Sequence, residues 1–563
     1  MGSYRDRAQE WIAQDPDPET RAELSGLLDD EAALADRFGA KLEFGTAGLR
    51  GELGAGPNRM NRVTVMRAAA GLATVLFRPA GHLPSTDATL SAGASVVIGY
   101  DARHGSARFA EDTAAVATGA GLTAWLLPGP LPTPVLAHAV RHLGADAGVM
   151  VTASHNPPRD NGYKVYWNDG AQIVPPLDAE ISAAIDAVGR VDELPLGSGW
   201  TVLGDDIVEA YLRSLARIPL GADRDVSIAY TPLHGVARDV LLRAFAWAGF
   251  PAPQVVPEQG APDPDFPTVA FPNPEEPGAM DLALALGAAT HADLVLANDP
   301  DGDRCAVGVP LPDGGWRLLT GDEVGCLLAE HVLRHTHGPD RLVVTTIVSS
   351  TQLGKIAARY GVRYAQSLTG FKWIMRGGSP NDRLVFGYEE ALGYSLGGDD
   401  GVPVHDKDGI GAALAVAALA AAAKRAGRTL LDLLDDQARQ DGLHATAQIS
   451  FRVDDHLLIA EALARLRKSP PSALGGREVA VVDDLSLGVD GLPPTEGLRL
   501  RLAGDARLVV RPSGTEPKLK CYLEVIVPVS ATVAEARSTA ADQLTSLRTD
   551  LTTALGLAKS ARQ

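Results

Sequence analysis

Residues 293–304 read DLVLANDPDGDR, an apolar run that leads directly into a turn rich in carboxylates. A short apolar run bounded by turn residues is typical of a buried β-strand. The same order of strand, polar loop and helical segment recurs along the chain, with further strands predicted at 95–100, 147–152, 226–230, 342–347 and 384–387. Strands that alternate with helices predict α/β units with mostly parallel sheets, in which ligands gather at the carboxyl ends of the strands.

The chain of 563 residues has room for about four domains of roughly 150 residues each. Three stretches carry the strand, loop and helix order, and the pattern changes after about Gly442, where residues 498–502 and 506–511 predict antiparallel strands and 533–555 predict a helix. We therefore predict an α/β fold in which three related mixed α/β domains precede a C-terminal α+β domain. A helix before Phe44 is expected to pack on the first domain. The expected domain boundaries are 1–207, 208–322, 323–442 and 443–563.

Charge and cysteine content exclude several classes of protein. The formal charge of −19 argues against a general polyanion binder, because neutralising nucleic-acid phosphates needs excess Lys and Arg, whereas small phosphorylated ligands stay open. Three cysteines without a C-x-x-C pair support neither a zinc knuckle nor a disulfide framework, and they favour a reducing compartment.

The N-terminal segment has no apolar core for a signal peptide, and the apolar run 409–423 is shorter than the ~20 residues of a membrane span. We expect a cytoplasmic protein with no nucleic-acid or membrane partner.

The acidic turn after the quoted strand is the first candidate site. Asp299, Asp301 and Asp303 alternate along the turn, which places three carboxylates on one side of the chain and suits a hard divalent cation. An EF-hand loop would need Gly where Arg304 stands and Glu where Pro310 stands, so that interpretation fails. Three carboxylates leave room for waters and a phosphate oxygen, which favours Mg²⁺ over a complete Ca²⁺ cage.

A serine at the end of another predicted strand is the second candidate. Ser154 lies in a turn made rigid by Pro157 and Pro158, and His155 beside it is a candidate base or phosphate contact. No G-x-S-x-G elbow surrounds this serine, which weakens a hydrolase triad. Lys164, after a tight Asn-Gly turn, is a candidate phosphate contact or acid/base group.

Two further loops combine a cation, hydroxyls and glycine. Residues 511–518 read RPSGTEPK, a composition that fits an anion-binding nest or an ordinary hairpin turn equally and lacks the spacing of a nucleotide P-loop. Residues 44–51 read FGTAGLRG, with Arg50 as the cation.

Six motifs in one order carry a family resemblance. FGTAGLRG, TASHNPPRDNGYK, DPDGDR, TGFKW, YEEALGY and RPSGTEPK follow one another between Phe44 and Lys520. In this the chain resembles the α-D-phosphohexomutase superfamily, in particular its phosphoglucomutase/phosphomannomutase members and the branch shared with phosphopentomutases. The resemblance implies four domains around a central cleft, each contributing one loop.

The resemblance also implies roles for individual residues. It makes Ser154 the phosphorylated serine, whose phosphate holds one Mg²⁺ together with Asp299, Asp301 and Asp303. It places Arg50, His155 and Arg304 beside that phosphate, with Lys164 and Lys407 as acid/base candidates. It assigns the sugar and the non-reacting phosphate to Gly370, Lys372, Glu389, Glu390, Arg511, Ser513, Gly514 and Thr515. Shared use of one cation requires Ser154 and the acidic turn to lie together in the fold.

The implied activity is interconversion of a sugar 1-phosphate and 6-phosphate through a bisphosphate intermediate, with glucose as the leading sugar and glucose 1,6-bisphosphate as activator. One departure bears on specificity, because Ala391 stands where the hexose pattern has Ser. Phosphomannomutase, phosphopentomutase and glucose 1,6-bisphosphate synthase therefore stay open, as does a metal-dependent sugar phosphatase. A sugar-phosphate-binding protein without catalysis fits less well, since binding alone needs neither the acidic triplet nor the serine loop. The expected partner is a small sugar phosphate, and the chain is expected to be a monomer or homodimer.

Overall fold

The computed structural model describes residues 3–77, 93–452, 456–513 and 518–557. Over this part of the chain the backbone divides into two units. The first contains residues up to Leu319 together with Gly393–Gly397 and Gly401–Ala421, and the second contains the remainder.

Three helices precede the first sheet, α1 (Tyr4–Gln14), α2 (Pro18–Gly26) and α3 (Glu31–Phe38). A reciprocal capping box between Ser3 and Asp6 begins α1, because each residue's side chain accepts from the other's backbone N–H. Trp11 and Phe38 meet edge to face and join a cluster of buried side chains that includes Val63 and Met66 of the next helix. The helix expected to pack on the first domain is thus present as a three-helix segment.

The first sheet has six strands in the order β1-β5-β4-β2-β3-β6. Its strands are β1 (Leu49–Glu52), β2 (Ser95–Tyr100), β3 (Thr123–Leu126), β4 (Ala147–Val151), β5 (Asp160–Trp167) and β6 (Thr201–Val202). The associated helices are α4 (Arg62–Leu76), α5 (Ser106–Gly119), α6 (Thr133–Leu143), α7 (Leu177–Asp186) and α8 (Asp206–Ser214). Strands β4, β2, β3 and β6 are parallel, whereas β5 runs antiparallel to both β4 and β1. All five residues of β4 are buried, as expected of an apolar strand covered on both faces.

The second sheet has the order β11-β10-β9-β7-β8. Its strands are β7 (Ile228–Thr231), β8 (Gln254–Val255), β9 (Leu294–Ala297), β10 (Ala306–Pro310) and β11 (Trp316–Leu318), with helices α9 (Arg238–Trp247) and α10 (Asp281–Thr290). Strands β8, β7 and β9 are parallel, and β10 returns antiparallel to β9. The reversal between β9 and β10 is made by the acidic turn, so the fold places its carboxylates at the carboxyl end of β9.

The second unit begins with a parallel sheet in which β12 lies between β13 and β14. Its elements are α11 (Gly321–His335), β12 (Arg341–Thr346), α12 (Gln352–Arg359), β13 (Arg363–Ser367), α13 (Phe371–Ile374) and β14 (Arg383–Glu389). Next in the chain, β15 (Gly393–Leu396) and most of α14 (Gly409–Arg425) belong to the first unit. Residues 409–423, expected to form a buried helix, are indeed helical and largely buried.

The C-terminal domain is an antiparallel sheet in the order β16-β21-β20-β19-β18-β17. Helix α15 (Leu430–Asp441) precedes this domain, whose elements are β16 (Leu443–Arg452), α16 (His456–Lys468), β17 (Ala473–Leu474), β18 (Arg477–Asp484), β19 (Leu498–Leu502), β20 (Ala506–Pro512), β21 (Lys518–Val527) and α17 (Val533–Leu555). Leu463 of α16 and Leu547 of α17 pack with Leu508 and Leu523 of the sheet. The predicted α+β domain is confirmed.

No single described helix is both long and apolar enough to cross a bilayer, and only the consecutive pair α14 and α15 satisfies the length and composition requirement when the two are combined.

Candidate active site

The acidic turn is buried where it leaves β9. Asp299, Asp301 and Asp303 have no measurable exposure, and oxygen atoms from the three carboxylates lie within 4.8 Å of one another. Gly302 allows this crowding, because its φ of +69° is a backbone conformation that favours glycine and its N–H donates to the Asp299 carbonyl at 2.9 Å. The backbone N–H of Arg304 donates to Asp299 Oδ1 at 3.0 Å. The turn therefore holds three carboxylates in one small volume.

Ser154 lies directly against this turn. It follows β4, is 3% exposed, and its Oγ donates to Asp299 Oδ2 across 3.0 Å although the residues are 145 positions apart. The same Oγ lies 3.2 Å from Nδ1 of His155, and the Ser154 N–H donates to Thr152 Oγ1 at 2.8 Å. The structure thus brings the serine and the acidic turn together, as the sequence interpretation requires.

Two lysines face the same carboxylates. Lys164 of β5 donates through Nζ to Asp301 Oδ2 at 2.7 Å and to Asp303 Oδ2 at 3.2 Å. Lys407, which precedes α14, places its Nζ 3.2 Å from Asp303 Oδ2. Both lysines are buried, so the positive charge is concentrated where the negative charge is.

The electrostatics of the cluster follow from burial and crowding. Burial, and then the neighbouring Asp301 and Asp303 charges, raise the pKa of Asp299 well above its ordinary value. Burial acts in the same direction on Asp301, but the Lys164 ammonium outweighs it and lowers the pKa of that carboxyl. Burial would lower the pKa of Lys164, yet the facing carboxylates raise it, so this lysine is held as an ammonium. Burial and nearby arginines lower the pKa of His155 well below its usual range, which favours the neutral imidazole.

The donor set fits a hard divalent cation. Asp301 Oδ1 and Asp303 Oδ1 are buried and have no hydrogen-bond partner in the described chain. Buried carboxylate oxygens without partners are unfavourable unless a cation compensates them. Oxygen-only ligands at this spacing suit Mg²⁺, which keeps some of its waters when bound by few carboxylates.

Two arginines lie beside the serine loop and the acidic turn. Arg50 of β1 donates through Nη1 to Asn156 Oδ1 at 3.1 Å. Arg304 donates to Glu275 Oε2 at 3.3 Å, and its Nε lies 3.8 Å from Asp299 Oδ2. The first unit therefore contains Ser154, the acidic triplet and five of the cations and bases predicted to serve them, namely Arg50, His155, Lys164, Arg304 and Lys407.

The predicted sugar- and phosphate-binding residues that the structure describes lie in the second unit. Gly370 has a φ of +107° at the start of α13, in the segment that also carries Lys372. Glu389 ends β14, and Glu390 accepts through Oε2 from Ser349 Oγ at 3.0 Å. The remaining members are Arg511 in β20, Ser513 beside it, and Gly514 and Thr515, which lie outside the described residues.

Sequence reasoning missed several residues that hold this site. Thr133, at the start of α6, donates through Oγ1 to Asp301 Oδ2 at 2.7 Å, and its N–H donates to the Asp301 carbonyl. Arg103, after β2, donates to backbone carbonyls of the serine loop. Asp406 accepts from Tyr166 and ion-pairs with Lys407. The sequence could have pointed to Thr133 and Arg103, because each follows a strand of the sheet that carries Ser154 and therefore lies at the carboxyl edge of that sheet.

An α/β enzyme in which a buried serine hydroxyl meets a carboxylate triplet and lysines has the groups that phosphoryl transfer needs. Four family profiles match the chain: phosphoglucomutase/phosphomannomutase alpha/beta/alpha domains I (residues 41–191), II (209–311) and III (320–440), and the C-terminal domain (451–540). The chain belongs to the phosphoglucomutase/phosphomannomutase family, and it is a phosphosugar mutase of the intramolecular phosphotransferase type.

Individual relatives agree with this assignment. A Haemophilus influenzae protein named "Probable phosphomannomutase" is 43% identical over 83% of this chain and 93% of its own length. The mouse phosphopentomutase is 34% identical over 92% of this chain and 90% of its own. The crystal structure of a phosphoglucomutase/phosphomannomutase family protein from Burkholderia thailandensis covers 92% of this chain and 98% of its own with a TM-score of 0.66, and at 20% identity it supports the fold.

Proposed function

We propose that this phosphosugar mutase interconverts α-D-glucose 1-phosphate and 6-phosphate through a phosphoenzyme at Ser154 and glucose 1,6-bisphosphate. One observation carries the proposal: Ser154 Oγ lies 3.0 Å from Asp299 within a buried group of carboxylates and lysines. Phosphoryl transfer depends on positioning and charge neutralisation, and this arrangement supplies both.

The first half of the reaction moves a phosphoryl group from Ser154 to the sugar. The sugar O6–P bond forms as the Ser154 Oγ–P bond breaks, the sugar hydroxyl gives up its proton, and the released Oγ takes a proton from Nδ1 of His155. Lys407, whose Nζ lies 3.2 Å from Asp303, is the proposed acid/base group for the proton of the sugar hydroxyl. Lys164, held as an ammonium by Asp301, is proposed to neutralise charge on the phosphoryl oxygens.

The second half reverses these roles after the bisphosphate has turned over. Ser154 Oγ then attacks the phosphorus of the phosphate at C1, so that the Oγ–P bond forms as the P–O1 bond breaks. The Oγ proton passes to the neutral Nδ1 of His155, 3.2 Å away. Lys407, which took the O6 proton in the first half, is proposed to protonate O1. Arg50 and Arg304 are proposed to hold the phosphoryl oxygens during both halves. When bound by Asp299, Asp301 and Asp303, Mg²⁺ would add Lewis acidity toward those oxygens.

Substrate recognition is proposed for the second unit. Glu389 and Glu390 would accept hydrogen bonds from sugar hydroxyls, and Ser349 supports this by fixing the Glu390 carboxylate at 3.0 Å. The loops of Gly370 with Lys372 and of residues 511–515 would bind the sugar and the non-reacting phosphate, as the resemblance implies. The proposal includes a cytoplasmic location, which the three free, buried cysteines support.

The test replaces the nucleophile. Ser154→Ala is expected to abolish conversion of glucose 1-phosphate in a coupled assay with a trace of glucose 1,6-bisphosphate, while Ser214→Ala, at the end of α8, leaves turnover intact. Radiolabelled bisphosphate is expected to label the wild type and not Ser154→Ala. Undiminished turnover in Ser154→Ala would overturn the proposal, and inorganic phosphate released in step with substrate loss would indicate a phosphatase instead.

A second candidate changes the sugar and keeps the site. Ala391 lacks the hydroxyl that the hexose pattern places there, which leaves activity on a pentose phosphate or on mannose phosphate open. Rates on glucose 1-, mannose 1- and ribose 1-phosphate, measured side by side, separate these substrates. Net formation of bisphosphate from a second phosphoryl donor would instead identify a glucose 1,6-bisphosphate synthase.

A further inference from the structure

The backbone of Ser154 adopts an unusual conformation. Its φ is +53°, in the left-handed region that residues other than glycine seldom occupy. Such a conformation persists where the surrounding structure holds it in place. At Ser154 it directs Oγ toward Asp299, so whatever holds the backbone also aims the hydroxyl.

One guanidinium holds the segment. Arg103 is 4% exposed, and its Nη2 donates to the carbonyls of Ser154 and Asn156, each at 2.6 Å. Its Nη1 donates to the carbonyls of Pro157 at 2.8 Å and Asp160 at 3.2 Å. Four carbonyls from one short segment thus converge on one side chain. The planar fork of arginine matches several acceptors at once, whereas a lysine ammonium cannot reach four in that geometry.

Arg103 is itself fixed from two sides. Its Nε lies 3.3 Å from Asp101 Oδ2, and Asp101 Oδ1 accepts from Ser106 Oγ at 2.6 Å. On the other side the ring of Phe266 lies 4.9 Å from Arg103 Cζ, in cation–π contact. Phe266 belongs to the long Pro-rich connection after β8, so a residue associated with the second sheet covers the group that shapes the serine loop of the first.

We propose that Arg103 is a positioning residue for phosphoryl transfer, which sets the direction of Ser154 Oγ through the carbonyls of residues 154–160. The predicted effect on the rate of phosphoryl transfer rests on the proposed function. The predicted effect on the backbone conformation of Ser154 rests on the geometry alone. Arg103 contacts the loop backbone rather than substrate, so its loss slows transfer without weakening sugar binding. Phe266 limits movement of the guanidinium and is part of the same device.

Arg103→Lys tests the proposal, with Arg62→Lys as the matched control. Arg62 makes a two-point ion pair with Asp112 in the same domain and donates to no carbonyl of the serine loop. Radiolabelling of Ser154 by glucose 1,6-bisphosphate under rapid quench is expected to be slower by about thirtyfold or more in Arg103→Lys, with the KM for glucose 1-phosphate within about twofold of wild type. Arg62→Lys is expected to lower the melting temperature while labelling at nearly the wild-type rate.

Two further measurements keep the proposal open to refutation. Phe266→Leu removes the ring and none of the four hydrogen bonds, and an intermediate slowing is expected from it even where Arg103→Lys fails to fold. A crystal structure of whichever variant folds is expected to show Ser154 leaving its left-handed φ. Labelling at the wild-type rate in both variants, an unmoved Ser154, or equal slowing in Arg62→Lys each overturns the inference. If the wild type takes no label, the proposed function is refuted instead. In that case the position of Ser154 in the variant structure alone decides whether Arg103 positions the serine.

Discussion

The Nζ of Lys164 lies 2.7 Å from Oδ2 of Asp301, and both side chains are buried. Lys407 faces Asp303 in the same way. The two lysines together compensate much of the negative charge of the three buried carboxylates. The same carboxylates are the proposed ligands of Mg²⁺. We therefore expect the acidic turn to keep its shape when no cation is bound.

Metal removal is accordingly expected to stop turnover without unfolding the protein. A chelator is predicted to abolish mutase activity, which added Mg²⁺ restores, while far-UV circular dichroism stays unchanged. Mg²⁺ is expected to raise the melting temperature of the wild type, because a ligand that binds only the folded state stabilises it. Asp303→Asn should lose most of that shift, whereas Asp205→Asn, an exposed partner of Arg243, should keep it. A full shift in Asp303→Asn contradicts the assignment of the site.

Thr133 is predicted to support the acidic turn through its hydroxyl. Thr133→Val removes the donor 2.7 Å from Asp301 and keeps the side-chain volume. Hydrogen bonds to charged groups contribute about 1.5–3 kcal/mol, so half-saturation by Mg²⁺ is expected at a concentration higher by about tenfold or more. Thr113→Val is the control, because that buried hydroxyl donates to the Phe109 carbonyl within α5. Equal Mg²⁺ dependence in both variants would show that the Thr133 hydroxyl is dispensable.

Asp322 is predicted to make stability depend on pH. Its Oδ1 accepts from the Ser350 N–H at 2.7 Å and from Tyr388 at 3.0 Å, and burial raises its pKa from 3.8 to about 6. The folded state then keeps a proton that the unfolded chain releases, so the stabilisation is present below about pH 4 and is lost as the pH rises through about 6.

Urea unfolding of Asp322→Asn at several pH values checks this. Between about pH 4 and 7, the free energy of unfolding of the wild type should fall relative to the variant by about 3 kcal/mol at most. Asp436→Asn, a half-exposed carboxylate of α15, should leave the pH dependence of the wild type unaltered. Parallel curves for wild type and Asp322→Asn would mean that Asp322 stays ionised in the fold.

Breaking the buried ion pair of Arg507 and Glu524 is predicted to destabilise the fold strongly. Arg507 donates to Glu524 Oε2 at 2.8 Å and to the carbonyls of Ile347 and Ser349. Burial would raise the pKa of Glu524, but the Arg507 charge and the His444 ring hold it at about 2. Arg507→Met leaves an uncompensated buried carboxylate and should reduce the free energy of unfolding by about 3–5 kcal/mol.

A double-mutant cycle measures the coupling within that pair. Arg507→Met combined with Glu524→Gln is expected to lose clearly less stability than the sum of the two single changes, because the charges compensate one another. Strict additivity in urea unfolding would argue that the two charges are independent.

Ala391 is predicted to weaken discrimination for hexose. Ala391→Ser restores the hydroxyl of the hexose pattern. One added hydrogen bond contributes about 1 kcal/mol, so the ratio of kcat/KM for glucose 1-phosphate over ribose 1-phosphate should rise by about fivefold. An unchanged ratio would show that residue 391 does not influence sugar specificity.

The local pattern of the chain was sufficient for much of this fold. The α/β class, the strand that precedes the acidic turn and the helix over 533–555 all follow from short-range periodicity, which depends on residues within a few positions of one another. The six motifs singled out Ser154 and the three aspartates for the same reason, since each motif is a contiguous segment. Their convergence was expected from the family resemblance, which implies that Ser154 and the three aspartates share one cation.

Only the tertiary structure decided the directions of the paired strands and the side chains that support the site. The antiparallel direction of β5 and β10 and the contacts of Thr133 and Arg103 depend on segments that lie far apart in the chain, so no local pattern specifies them. By itself the sequence predicted which side chains carry the chemistry. The packed sheets decided which donors surround them, because hydrogen bonds and buried charges are satisfied by whatever groups the completed fold brings within about 3 Å.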